Sequence, residues 1–144
     1  MYGVESAVHP AYRGHGVGSK LMDARFQTLK NLNLRGMIAG SMFMDYHKVA
    51  HEMSPQQYVQ EVIDGKRFDT NLTKQLHKGF RVHNLIPEYI DDPRTLNWAA
   101  AIVWDNPDYV PNKVVSASKI IPAQFQVAFK PVATPAQPYS AAGL

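Results

Sequence analysis

The sequence predicts an α/β (α+β) fold with a mixed, mostly antiparallel sheet and flanking helices. The first observation is a strand, turn, helix and strand unit, in which apolar runs at residues 2–8 and 36–43 flank an amphipathic stretch. The second is a pair of apolar runs at residues 80–86 and 98–104, separated by an acidic, turn-rich loop. These two runs are placed to pair antiparallel, and polar helical segments lie between the two units.

A glycine-rich turn over residues 11–18 separates the first predicted strand from the first predicted helix. The strand ends at His9-Pro10, because proline lacks the N–H that a strand ladder needs and also restricts the residue before it. The helix is predicted over residues 17–30. Residues at three-to-four spacing predict its inner face: Val17, Leu21, Ala24, Arg25, Thr28, Leu29 and Leu32. Its outer face is predicted to carry Lys20, Asp23, Gln27 and Lys30.

Two further helices are predicted in the middle of the chain. Residues 54–57 have the serine, proline and glutamine of a capped helix start. Asp69 or Thr70 is predicted to cap the next helix, over residues 71–78, and Gly79 follows as its C′ residue.

Composition bounds the classes of protein to which the chain can belong. Its 144 residues suit one domain, and a hydrophobic fraction of 45% allows a core. With no cysteine, it has no disulfide scaffold, thiolate zinc site or cysteine nucleophile. The net charge is +3 and the basic residues are scattered, so no nucleic-acid partner is expected. No apolar run is long enough to span a membrane, and a cytoplasmic protein is expected.

Two segments are predicted from the change in composition near residue 111, where proline and alanine begin to recur. Residues 1–110 are expected to form the folded domain. Residues 111–144 are expected to be a partly disordered extension, with a short strand at 127–129.

The turn carries glycines at the alternate positions 14, 16 and 18. Glycine has no Cβ, so backbone N–H groups at these positions can come close to a ligand. A helix that starts directly afterwards adds free N–H groups and the positive end of its dipole. The pattern therefore predicts a pyrophosphate-binding turn.

Two common phosphate motifs do not fit this turn. The dinucleotide fingerprint G-x-G-x-x-G/A has Ser19 at its third small position, and no acidic residue closes a following strand. The Walker loop G-x-x-x-x-G-K-[ST] requires a longer spacing than that between Gly14 and Gly18, and Ser19 and Lys20 stand in reversed order. A nucleotide-binding regulatory module is therefore disfavoured.

The pattern R/Q-x-x-G-x-G/A does fit, at Arg13, Gly16 and Gly18. The longer string VHPAYRGHGVGSKLM resembles motif A of the GCN5-related N-acetyltransferases, which are acyl-CoA-dependent transferases. Leu76 to Phe80 resembles the family's "lGF" ending of its fourth helix, and YIDDPRTLNWAAAIVWDNPDY is similar to the closing hairpin of one subgroup. The resemblance covers residues 4–109.

The resemblance implies the cofactor-binding portion of an acyl-CoA N-acyltransferase fold, without the strands and helices that precede it in relatives. It implies acetyl-CoA as the acyl donor and an amine of a small molecule or protein as the acceptor. Ala7 and Val8 are implied to make backbone contacts with the pantetheine arm. The N–H groups implied to hold the CoA pyrophosphate are those of Arg13, Gly14, His15, Gly16, Val17, Gly18 and Ser19.

Gln75 lies where relatives often place a tyrosine that protonates the departing thiolate. Glutamine cannot act as a general acid, although its amide can hydrogen-bond the sulfur, so Gln75 is the candidate catalytic position that the resemblance implies. The alternative is a truncated or degenerate domain without catalysis, which binds CoA or a protein partner. Such a chain would expose a strand edge and would self-associate or need its missing N-terminal half.

Other residues that could carry chemistry have simpler interpretations. His47 and His51 have helical spacing for a metal, but Lys48 replaces the glutamate of the metalloprotease motif and no third ligand is evident, so no metal site is expected. His9 and His15 are expected to be solvent-facing loop residues. Trp98 and Trp104 are expected to pack in the sheet, and Tyr46 and Tyr89 are not expected to reach a substrate pocket.

Overall fold

The computed structural model describes residues 1–4 and 6–115. Its elements in chain order are β1 (Tyr2–Gly3), α1 (Val17–Asn31), β2 (Gly36–Met42), α2 (Pro55–Ile63), α3 (Leu72–His77), β3 (Arg81–Ile86) and β4 (Ala99–Asp105). Short 3₁₀ turns lie at Pro10–Tyr12 and Tyr46–Lys48. The predicted extension from residue 116 onward, with its strand at 127–129, lies outside the described residues.

The sheet has the strand order β1-β2-β4-β3. β1 pairs parallel with β2, whereas β4 pairs antiparallel with both β2 and β3. The β3–β4 register shifts between Val82 and Asn84, which is a bulge. The predicted mixed, mostly antiparallel sheet with flanking helices is confirmed.

The first strand is much shorter than the predicted residues 2–8. Its pairing with β2 ends at Gly3 and Ala39, and the next residue, Val4, is 82% exposed. A β-branched residue favours extended backbone but does not provide a neighbouring strand, so Val4 and Val8 alone do not extend the ladder. The chain therefore leaves β2 before it reaches the glycine turn.

The inner face of α1 also differs from the prediction. Leu29 is buried as predicted, but Leu21 is 41% exposed, and Met22 and Phe26 pack against the core instead. Phe26 stacks on Trp104 of β4 with ring centroids 4.2 Å apart. This aromatic contact favours the observed rotation of the helix, in which the residues that follow Leu21 and Arg25 face the core in their place.

All three helices contribute to one core on one face of the sheet. Alternate residues of β2 and β4 supply the sheet side of that core, and α2 and α3 contribute residues such as Tyr58 and Leu72. The opposite face is open: Tyr2 is 55% and Ile38 is 52% exposed. No helix in the described ranges is long and apolar enough to cross a membrane.

Asp69 connects the segments that cover the core. It is fully buried, and its Oδ1 accepts hydrogen bonds from the N–H groups of Asn71 at 2.9 Å and Leu72 at 2.7 Å. Its Oδ2 accepts from the Asp45 N–H at 3.1 Å and from the Tyr58 hydroxyl at 2.8 Å. The N-cap residue of α3 is Asn71, not the predicted Asp69 or Thr70, because the helix begins at Leu72. Asp69 nevertheless accepts from two N–H groups at the start of α3. The capping box predicted at residues 54–57 is also present.

We expect Asp69→Ala to lower the free energy of unfolding by about 3–5 kcal/mol, because four donors lose their acceptor inside the protein. Urea denaturation followed by circular dichroism measures the loss. Asp91→Ala is the control, since Asp91 is exposed and should change stability by less than about 0.5 kcal/mol. Equal losses in the two variants would contradict the role given to Asp69.

Candidate functional site

Two glycines of the turn adopt a backbone conformation that other residues rarely adopt. Gly14 has a φ of +79° and Gly16 a φ of +74°, which is the left-handed region that strains other residues. No atom lies within 4 Å of a Cβ built at either glycine. α1 begins at Val17, directly after Gly16. The two glycines therefore leave the space in front of the helix open.

A row of N–H groups borders this space. In the described part of the chain, no group accepts a hydrogen bond from the N–H groups of residues 14–19. The helical ladder starts one residue later, where the Lys20 N–H donates to the Gly16 carbonyl at 3.0 Å. Six consecutive unsatisfied donors at the positive end of a 15-residue helix form an anion-binding surface.

Arg13 fastens the turn to the preceding segment, because its Nε donates to the Val8 carbonyl at 3.1 Å. The His15 Nδ1 lies 2.9 Å from the Arg13 carbonyl, and the His9 Nδ1 accepts from the Ala11 N–H at 3.3 Å. Both histidines are exposed, as expected for loop residues. The Arg13 bond occupies the Val8 carbonyl, whereas the Val8 N–H and the Ala7 backbone have no hydrogen-bond partner among the described residues.

β1 and β2 stop pairing after Gly3 and Ala39. β2 continues through Gly40–Met42, paired with β4 on its other edge, while residues 6–8 run toward the turn outside any strand. We call the region between the unpaired residues 6–8 and 40–42 the β1–β2 cleft. Its inner end is the Gly3–Ala39 pair, and residues 6–8 lead from it along the chain to the row of N–H groups.

On the helix side of the cleft, Gln75 of α3 reaches β2. The hydroxyl of Ser41, which is fully buried, donates to the Gln75 Oε1. The Gln75 Nε2 has no partner within the described ranges, so its two N–H groups are free to donate. The structure therefore places the candidate catalytic position beside Ser41 of β2.

On the open side of the sheet, the ring of Tyr89 lies directly against Gly40. A Cβ built on Gly40 would stand 2.8 Å from Cε2 of Tyr89 and closer still to Cζ and the hydroxyl oxygen. The two hydroxyls of Tyr2 and Tyr89 are 3.2 Å apart, and the Tyr89 N–H donates to the Asn97 carbonyl at 2.8 Å. The hydrogen bond with Tyr2 and partial burial raise the pKa of Tyr89, which keeps it a neutral phenol.

Sequence reasoning missed this arrangement, because the contact joins residues from β1, β2 and the β3–β4 loop. The available signal was Gly40 itself, since a glycine inside a strand often marks a close approach. Both tryptophans pack in the structure as expected. Trp104 is buried and Trp98 packs against the core, while the hydroxyl of buried Tyr46 donates to the Met53 carbonyl at 3.1 Å.

His47 and His51 do not come together. The His47 Nδ1 lies 3.0 Å from the Arg94 carbonyl, and the His51 Nε2 lies 3.1 Å from Glu52. No group of three or more potential metal ligands occurs in residues 1–4 and 6–115.

A double-mutant cycle tests the packing of Tyr89 on Gly40. We expect Gly40→Ala to lower the free energy of unfolding by about 1–3 kcal/mol, because the added methyl overlaps the ring. In a Tyr89→Ala background the same change should cost almost nothing, so the two changes are coupled. In a Tyr109→Ala background the full cost should remain. Additive effects of Gly40→Ala and Tyr89→Ala would contradict the contact.

Residues 2–53 match the family described as Acetyltransferase (GNAT) family. Two curated relatives come from Bacillus subtilis (strain 168). The chain is 38% identical over 114 residues to the probable hydrolase YhcX, which covers 78% of this chain and 22% of that protein. It is 31% identical over 109 residues to the uncharacterized N-acetyltransferase YkwB, which covers 76% of this chain and 48% of that protein.

The fold also matches a solved structure, the GphF GNAT-like decarboxylase in complex with isobutyryl-CoA. The TM-score is 0.55 at 20% identity, over 68% of this chain and 51% of the other. The chain thus spans less than half the length of the curated relatives it matches. The family match over residues 2–53, the homology to an N-acetyltransferase and the match of the fold to a GNAT-like structure together support membership of the GNAT family.

Proposed function

We propose that this chain binds acetyl-CoA and transfers the acetyl group to an amine of a small molecule or protein. The observation that carries the proposal is the row of six unsatisfied N–H groups at residues 14–19, at the outer end of the β1–β2 cleft. A diphosphate needs several fixed donors, and an extended thioester arm needs a narrow opening beside them.

The N–H groups of Gly14, His15, Gly16, Val17, Gly18 and Ser19 would bind the pyrophosphate. Each hydrogen bond to an ionised oxygen is stronger than one between neutral groups, and the dipole of α1 adds to the attraction. The N–H of Arg13 was also expected here, but it donates to the Pro10 carbonyl at 3.2 Å. Arg13 therefore contributes by holding Val8 through its side chain.

The pantetheine arm would lie in the β1–β2 cleft. Its amide groups can pair with the free backbone groups of Ala7 and Val8, in the way that an added strand pairs with an edge. The thioester then lies toward the inner end of the cleft, near Gly40 and Gln75. An amine that approaches this point can attack the carbonyl directly, and the proximity of the reactants supplies much of the rate.

Gln75 would hydrogen-bond the departing sulfur through its free Nε2, since the Ser41 hydroxyl already holds its Oε1. An amide donor can stabilise a thiolate but cannot protonate it. The printed name of YkwB as an N-acetyltransferase and the isobutyryl-CoA of the GphF complex support an acyl-CoA thioester as the ligand class.

The second candidate is a domain that binds CoA without catalysis. It is favoured by the open sheet face around Tyr2 and Ile38, and by an amide where a phenol would act as an acid. CoA release separates the two candidates. The sequence has no cysteine, so a thiol reagent such as Ellman's reagent detects released CoA with no signal from the protein.

We also propose that the acyl-CoA-binding unit ends near residue 110. The side chain of Asn33 pairs with both the N–H and the carbonyl of Val110, and it donates further to the Lys113 carbonyl at 3.0 Å. These bonds attach the end of the described chain to the loop after α1.

The binding proposal is tested by Gly16→Val with Gly65→Val as its matched control. Gly16 and Gly65 have φ values of +74° and +71°, and no atom lies within 4 Å of a Cβ at either position. Both variants should lose roughly 1–2 kcal/mol of stability through backbone strain. Only Gly16→Val should weaken acetyl-CoA binding, by tenfold or more in calorimetry, because its side chain enters the anion site.

Equal affinity of the two variants would contradict the assignment of the turn. No heat and no thermal stabilisation of the unaltered protein at millimolar acetyl-CoA would contradict CoA binding itself. Binding without CoA release, across a panel of small amines, amino-acid derivatives and peptides with free N-termini, would favour the second candidate.

A further inference from the structure

The inner end of the β1–β2 cleft is closed on the open side of the sheet by two tyrosines. Tyr2 lies on the last paired stretch of β1, and Tyr89 reaches the same place from the β3–β4 loop. Their hydroxyls are 3.2 Å apart. Since the ring of Tyr89 covers Gly40, the two hydrogen-bonded tyrosines bridge β1 and β2.

The position of the Tyr2–Tyr89 pair follows from the register of the sheet. Gly3 pairs with Ala39, so Gly40 is the first residue of β2 beyond the stretch that pairs with β1. Gly40 therefore marks the point at which the cleft begins to open. A group that enters the cleft from the turn reaches Gly40 last, and there it meets the ring of Tyr89.

Two neighbouring positions are also closely packed. On the helix side, the buried Ser41 is bonded to Gln75. At the inner end, a Cβ built on Gly3 would already lie 3.3 Å from Ala39 Cβ and from Met37 Sδ. An acyl chain that extends from the thioester carbonyl past Gly40 toward the open side of the sheet therefore meets the Tyr89 ring.

We infer that Tyr89 limits the acyl group that the site accepts to acetyl and similarly short chains. The inference rests on the proposed function, because it places the thioester in the β1–β2 cleft. The ring is held from two sides, by the Tyr2 hydroxyl and by the bond from its own N–H to Asn97, so it does not simply turn aside. Tyr89 thus acts by occupying volume.

The free energy of burying a methylene gives the expected change in affinity between acyl-CoA ligands. A pocket with free apolar space strengthens binding by about fourfold for each methylene that it buries. Butyryl-CoA carries two more methylenes than acetyl-CoA. In the unaltered protein the ring removes this gain, so butyryl-CoA should bind no more tightly than acetyl-CoA.

The test measures the affinities of CoA, acetyl-CoA and butyryl-CoA by calorimetry for the unaltered protein and for Tyr89→Ala. We expect the preference for butyryl-CoA over acetyl-CoA to rise by roughly tenfold in Tyr89→Ala, while the affinity for CoA itself stays the same. Tyr89→Leu is a second variant that keeps an apolar side chain against Gly40, and its preference should shift in the same direction.

Two control variants separate the volume of the Tyr89 ring from the effect of its hydroxyl and from the general effect of removing a tyrosine. Tyr89→Phe keeps the ring but loses the hydroxyl bond to Tyr2, and it should retain the selectivity of the unaltered protein. Tyr109→Ala removes a ring that is 38% exposed and distant in sequence from the cleft, and it should change no affinity. A Phe variant that behaves like the Ala variant would overturn the inference that the ring itself sets the limit.

Normal CoA binding with the same butyryl-to-acetyl ratio in the unaltered protein and in both Tyr89→Ala and Tyr89→Leu would overturn the inference and leave the proposed function intact. Absence of CoA binding in every variant, with the unaltered protein included, would overturn the proposed function and this inference together.

Discussion

The parting of β1 from β2 after two pairs of residues is the constraint on which the site depends. Gly3 and Ala39 are the last partners, and from Gly40 to Met42 the strand β2 pairs with β4 alone among the described strands. A longer ladder would satisfy more backbone groups but would leave no room for a ligand. The fold keeps these groups unpaired, and the antiparallel β2–β4–β3 ladder and the core behind it supply the stability that β1 does not.

The turn and the cleft are coupled through one side chain. Arg13 donates to the carbonyl of Val8, so the segment that borders the cleft is tied to the segment that carries the N–H row. Directly after this bond, Gly14 and Gly16 adopt left-handed backbone and α1 begins. An anion at the turn and an extended arm in the cleft would therefore meet one preorganised surface, which reduces the ordering cost of binding.

The two faces of β2 carry different groups at the adjacent residues Gly40 and Ser41. Ser41 faces the helices and holds an amide that can donate, whereas Gly40 has no side chain and admits a phenol ring from the open side. Alternation of side chains along a strand makes this division automatic, because neighbouring residues point to opposite faces. Polarity on one side and bulk on the other are thus set by two adjacent positions of one strand.

The sequence by itself determined the local features of this protein. The glycines at 14, 16 and 18 predicted a turn directly before a helix, and the capping residues of α2 and the antiparallel hairpin were predicted from short-range patterns. These features depend on backbone preferences of residues close together in the chain. Only the tertiary structure decided where β1 stops, how α1 is rotated and what lies at the end of the cleft. Each of these depends on a contact between distant segments, such as that of Phe26 with Trp104 or of Tyr89 with Gly40. Local preferences allow many arrangements of the same helices and strands, and the packing of side chains selects one of them.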